Sequence, residues 1–327
     1  MLTRKQNNLK QAWKQKRLLS LIKKGSLSHA DQTKKSWTSL IQSYEDVPDE
    51  FKPFFEPIID QKTPFPYTLL TPSFEGFLNQ QSIKMISVCK QQLVVLEAIG
   101  NSYSQQSFPY EGIFFVEFST ILLDAYFKIT GILNQEVVAS STIKFNAIND
   151  YLFFPIIERI RQISDKENDE PNPEEIEKFN KWSQVSYKFM NFAKRSLKGS
   201  EIIKIDLFQP EIKSKVLSVF GKTFYRYISP ALMCILTNKE LIVIQEGNKQ
   251  YKEVSYGGTW FYIPLAKLES LSLAEKNENM LTLSVQMHQN TCLGFDFQSY
   301  LRDDLNQLIS EFQKQVNHKD VNYQLET

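Results

Sequence analysis

The chain has 327 residues, 42% of them apolar and 23% charged, with 24 phenylalanines and a formal net charge of +1. It is too long for one ordinary domain and apolar enough for substantial cores, so two domains plus connecting helices are expected. Three widely separated cysteines (Cys89, Cys234, Cys292) exclude a disulfide framework or metal-type spacing and suit a reducing compartment, and the longest apolar stretch, 112–127, is broken by Glu117 and Asp124, short of the roughly 20 residues a spanning helix needs.

Charge is unevenly placed. Residues 1–36 carry ten cations against the single anion Asp31, a net of +9, which leaves −8 for the rest of a +1 chain. Within them, 3–24 lack Pro and Gly and are rich in helix formers, with Leu9, Ala12, Trp13, Leu19 and Ile22 on one side. A basic arm of this kind meets an acidic partner, an anionic membrane surface, nucleic acid or its own body. In the membrane reading Trp13 dips into the interface while Lys10, Lys14, Lys16, Arg17, Lys23 and Lys24 meet anionic lipid. The charged start returns to Lys23 and Lys24 after a short apolar run, so no secretory signal is expected and the reading is cytoplasmic. A second short helix is expected over 31–44, where Trp37, Leu40, Ile41 and Tyr44 repeat at helical spacing.

Six prolines between Pro48 and Pro72, interleaved with Phe51, Phe54, Phe55, Ile58 and Ile59, predict an irregular strap lying on the first domain. From Tyr67 the pattern turns to short β-type runs, including 83–89, 93–99, 112–118 and 121–129, closed by a helical stretch at 151–163. After the acidic segment 165–170, Asn172 as N-cap, Pro173 at N1 and Gly199 at the far end predict one connecting helix, with Lys194, Arg195 and Lys198 suiting its C-terminal dipole. Residues 201–316 return to β-type runs and close with a helix over 300–316. The chain thus divides into a basic helical arm (1–47), a Pro-rich strap (48–66), a first domain (67–164), a linker and helix (165–200), a second domain (201–317) and a tail (318–327).

The two β segments resemble one another. Without a gap, residues 85–97 (MISVCKQQLVVLE) lie over 233–245 (MCILTNKELIVIQ), each two apolar runs around a polar turn. Downstream, Phe108-Pro109-Tyr110 echoes Ile263-Pro264-Leu265, pointing to two copies of one domain. The run Leu236-Thr237-Asn238-Lys239-Glu240-Leu241-Ile242-Val243-Ile244 resembles the strand–turn–strand core of bacterial PH-like and GRAM-type domains. That resemblance covers about 201–316, and Cys89-Lys90-Gln91-Gln92 departs from it in the first copy. It implies an α+β chain of two tandem PH-like antiparallel β-barrels, each closed by a C-terminal helix.

No catalytic constellation is visible, and no cofactor or metal site is expected. The three histidines, His29, His288 and His318, fall in polar or turn positions, and Gly221-Lys222-Thr223 lacks the first glycine of a phosphate loop. Glu117 is read as a solvated strand carboxylate on an outer face and not as half of a catalytic acid–base pair. The run Tyr256-Gly257-Gly258-Thr259-Trp260-Phe261-Tyr262 reads as a hairpin turn or bulge, or as a partner-binding rim of Tyr256, Trp260 and Tyr262. The expected function is non-catalytic: an interaction or scaffold protein that binds a protein partner, with peripheral membrane binding through the arm as the alternative and nucleic acid ranked last.

Overall fold

The run Met85–Val88 is apolar or small on both strand faces, which a strand with one face in water does not require. In the computed structural model, which describes residues 37–59, 64–75, 80–100, 102–133, 137–161, 171–199, 201–219, 222–247 and 257–325, both faces of this strand are covered. The first half comprises β1 (Ser39–Ile41), α1 (Lys52–Phe55), β2 (Tyr67–Thr71), the hairpin β3–β4 (Phe74–Glu75, Gln80–Gln81), β5 (Lys84–Val88), β6 (Gln92–Ile99), β7 (Ser102–Pro109), β8 (Ile113–Ile121), β9 (Asp124–Leu133), β10 (Val137–Asn146) and α2 (Phe154–Ile160). Two helices connect the halves, α3 (Pro173–Glu177) and α4 (Tyr187–Ser196). The second half comprises β11 (Ile203–Gln209), the hairpin β12–β13 (Ile212–Val219, Lys222–Ser229), β14 (Leu232–Thr237), β15 (Glu240–Glu246), β16 (Gly258–Pro264), β17 (Leu268–Asn277), β18 (Met280–Met287), β19 (Thr291–Gln298) and α5 (Arg302–Leu325).

The strands form a five-stranded sheet β1-β2-β5-β6-β7, a seven-stranded sheet β10-β9-β8-β16-β15-β14-β11, a three-stranded sheet β17-β18-β19 and two separate hairpins. Each half therefore runs one strand, an inserted hairpin, three more strands of the same sheet, a three-stranded meander and a helix. The registers repeat as well. Met85↔Leu96 and Val88↔Leu93 in the first half correspond to Met233↔Ile244 and Leu236↔Leu241 in the second. Gln92↔Pro109 corresponds to Glu240↔Pro264. The β8–β9 register shifts between Ile113 and Phe115, and the β17–β18 register shifts at the matching place, between Leu268 and Ser270.

The two closed barrels expected from the sequence do not form: among the described residues no sheet closes on itself. At Pro109 and at Pro264 the chain turns through a short 3₁₀ segment (Tyr110–Gly112, Leu265–Lys267), so the fourth and fifth strands of each half part instead of pairing. The edge that closure would use is taken by the other half, as β8 pairs antiparallel with β16 through Trp260↔Phe118 and its neighbours. The result is one open sheet shared by both halves. Gly257, at φ +83°, lies at the end of this junction, where a Cβ would sit 1.7 Å from the Thr120 carbonyl oxygen. The Gly pair is thus a requirement of close strand approach.

In each half the central strands, β5 and β6 or β14 and β15, bury both faces. In the first half Ile86, Leu93 and Val95 point inward to α2, while Met85, Val94 and Leu96 lie under Phe51 and Phe55 of the strap. In the second half the equivalents Cys234, Leu241 and Val243 face α5, while Met233, Ile242 and Ile244 lie under Phe189, Met190 and Ala193 of α4. The strap and the connecting helices are thus the same device, a segment preceding each half that covers its outer face.

Three local expectations need correction. The described part of the helix expected over 31–44 forms β1 instead, an edge strand paired to β2 at Leu40↔Leu69; three residues gain backbone bonds there that an isolated helical turn would not supply. The connecting helix is broken. The Asn172 cap forms, accepting the Glu174 N–H, but α3 yields to a 3₁₀ turn at Lys178–Trp182, and Ser186 starts α4 by accepting the Phe189 N–H. The final helix runs on to Leu325.

Candidate functional site

The last turn of α2, the C-terminal end of α4 and the β14–β15 turn converge on a buried guanidinium. Arg161 Nε donates to both Glu240 carboxylate oxygens (2.9 and 3.2 Å) and its Nη2 to the Ser196 carbonyl (2.7 Å); it also makes a short contact to Glu240. Glu201 lies 3.5 Å from Arg161 Nη2 and accepts the Lys198 N–H (2.8 Å) and the Thr237 hydroxyl (3.3 Å). The Tyr262 ring lies 4.1 Å below the guanidinium. The side chains of Arg161, Glu201 and Glu240 are all buried.

One cation faces two carboxylates, so the charges balance only if one carboxyl holds a proton. Burial, reinforced by the Glu240 charge, pushes the Glu201 pKa up from 4.5 to about 8. Burial opposes the Arg161 charge, but Glu240, Tyr262 and Glu201 together hold its pKa above the ordinary value. Glu201 therefore binds its proton more tightly when folded than when unfolded. Its contribution to stability is complete below 4.5 and is lost as pH rises through about 8. Unfolding free energies of the wild type from urea titration are expected to fall by a few kcal/mol across that window, whereas Glu201→Gln stays nearly flat and is the more stable at the alkaline end. Equal slopes for the two proteins would remove the proton from Glu201.

Beside this cluster opens a cleft of about 590 Å³ between α2, α4, β8 and β16. Its apolar wall is Phe118, Phe154, Phe192 and Trp260, with Trp260 centred 4.8 Å from Phe192 and 6.4 Å from Phe118. Its polar rim carries Lys194, Arg195 and Lys198 along the end of α4, opposed by Asp150 and Glu158. Lys198 pairs with Glu158 (3.1 Å) and Lys194 donates to the Asn180 side chain (2.6 Å). Burial raises the Asp150 pKa although Arg195 acts against it. Phe154 of the cleft wall is 43% exposed, and Leu122 and Leu123 at the β8–β9 turn, with Ile148 and Tyr151 ahead of α2, are exposed apolar side chains as well. Leu122 holds a left-handed backbone (φ 57°), an uncommon state for a bulky side chain.

Of the residues singled out from the sequence, Trp260 lies in the cleft wall and Tyr262 in its floor, 8% exposed. Tyr256 and the arm residues Lys10, Trp13, Lys14, Lys16, Arg17, Lys23 and Lys24 lie outside the described residues. Glu117 is not a solvated carboxylate: it accepts from the Tyr126 hydroxyl and pairs with Lys128 (3.3 Å) beside the strand junction. His288 pairs with Glu269 (2.9 Å) on the surface. Among the described residues no helix is long and apolar enough to cross a membrane.

Sequence reasoning missed Arg161 and Glu201, and took Lys194, Arg195 and Lys198 only as partners of a helix dipole. A weak signal existed: Arg161 interrupts Ile160–Ile163, and Glu201 and Glu240 stand directly before apolar strand runs. No protein-family model matches the chain, and no curated protein matches it.

Proposed function

We propose that the protein is a non-catalytic recognition protein of the cytoplasm that holds a protein partner in the cleft at the junction of its halves. The carrying observation is the apolar cleft, whose wall residue Phe154 is itself exposed, together with the exposed Leu122, Leu123, Ile148 and Tyr151 on the segments that follow β8 and precede α2. A pocket walled by Phe118, Phe192 and Trp260 takes one apolar or aromatic anchor, and Leu122, Leu123, Ile148 and Tyr151 extend the contact beyond it. Lys194, Arg195 and Lys198 favour an acidic residue flanking that anchor. The cytoplasmic reading rests on the three free thiols. Kinship with bacterial PH-like and GRAM-type interaction domains is part of the same proposal, supported by the repeated order of four strands, three strands and a helix.

Leu123→Asp and Arg195→Glu change exposed or rim positions, and both variants are expected to keep the wild-type melting temperature. Affinity purification of the full chain from its own cells should recover a stoichiometric protein that either variant weakens by at least about tenfold. If the same proteins copurify in equal amounts with all three, the cleft is not the docking site.

A further inference from the structure

The shared sheet joins two strands that are not equivalent: β8 is the fifth strand of its half and β16 the fourth of the other. Because the halves repeat, each also owns the edge that the other has used. Two of these edges have no strand partner among the described residues: β7, the counterpart of β16, and β17, the counterpart of β8. Applying to the second half the displacement that carries the first onto it would place a fourth strand against β17.

The composition of these edges differs from that of the others. Exposed edges are normally protected by charge, shortness or side-chain cover. β1 has three residues; Lys84 Nζ donates to the Thr142 carbonyl on the edge of β10 (2.9 Å); β11 carries Lys204 and Asp206; and Gln209 bonds the Asp296 carbonyl (3.1 Å) and the Gln298 N–H (2.6 Å) on β19. In contrast, β7 is free of charge from Ser102 to Pro109, and β17, although it carries Glu269, Glu275 and Lys276 towards its ends, has an uncharged centre from Ser270 to Ala274. Ser272 and Ala274 are exposed.

We propose that copies of this chain join head to tail, β17 of one adding to β7 of the next in the register of the β8–β16 junction. That register sets Ser104 opposite Ala274, Gln105 opposite Leu273 and Gln106 opposite Ser272 in a second copy. The contact joins different surfaces, so it grows into a ring or filament and does not stop at a two-fold dimer.

The test uses two full-length variants, one blocked on β7 (Ser104→Lys with Gln106→Lys) and one on β17 (Ser272→Lys with Ala274→Lys), each verified as folded by circular dichroism. In sedimentation velocity the wild-type mass should rise with concentration past twice the 38.2 kDa monomer. Each variant alone should remain monomeric. Their equimolar mixture, which retains one free edge of each kind, should form a one-to-one pair and grow no further. A wild type that stays at 38.2 kDa at every concentration overturns the proposal, whatever the variants do. So does a folded variant that associates like wild type, or a mixture that fails to pair.

Discussion

Replacing Arg161 by Met should cost about 3–5 kcal/mol of unfolding free energy at neutral pH, read as a large drop in urea midpoint. The cost does not measure what the ion pairs add to stability. Burying a guanidinium and the Glu240 carboxylate is expensive, and their attraction does little more than offset that expense. Removing the cation leaves the Glu240 carboxylate buried and without its counterion beside the protonated Glu201. It also orphans the Ser196 carbonyl at the end of α4 and removes the flat group stacked on Tyr262. Met preserves much of the volume, so a cavity contributes little. Adding Glu201→Gln and Glu240→Gln to Arg161→Met should recover most of the loss, because neutral amides can be buried without a counterion. A loss below about 1 kcal/mol for the single variant, or no recovery in the triple, would mean that water reaches the cluster and screens it.

The same cluster shows what the sequence withholds. Strand runs such as Met280–Met287 alternate apolar and polar residues along their length, and the structure buries that alternation face by face. The hairpin repeat, 85–97 over 233–245, is legible because both copies keep apolar residues at matching positions, and each of those positions packs against something. By contrast β7, Ser-Tyr-Ser-Gln-Gln-Ser-Phe-Pro, has almost no apolar period; it is a strand because β6 supplies its backbone partners, and no local signal carries that. Sheet closure escapes the sequence for a related reason. Whether a strand edge meets its own half or the other depends on corners at Pro109 and Pro264 and on Gly257, where any Cβ would collide with the Thr120 carbonyl, none of which periodicity encodes. Of the cleft, Trp260 is visible as part of an aromatic run beside two glycines. Phe118, Phe192 and Arg161 reach it from separate elements, so only the fold brings them together.

Phe51→Ala should cost about 3–5 kcal/mol, as much as deleting a ring from the centre of either half. Phe51 belongs to a proline-rich segment outside both repeats, where a tether would tolerate the change within about 0.5 kcal/mol. The ring is nevertheless fully buried, edge-on to Tyr103 at 5.6 Å, and it covers Met85, Val94 and Leu96 together with Phe55. Those three side chains occupy the outer face of β5 and β6, and the truncated strap would leave a cavity above them. In the second half Phe189 of α4 does the same for Met233, Ile242 and Ile244, and Phe189→Ala should cost a comparable amount. If the structure is one cooperative unit, as the shared seven-stranded sheet implies, both variants will shift a single urea transition with little change in slope. A separate early transition for Phe51→Ala would instead mean that the strap and the β1-β2-β5-β6-β7 sheet open on their own, and that the β8–β16 junction does not bind the halves into one folding unit.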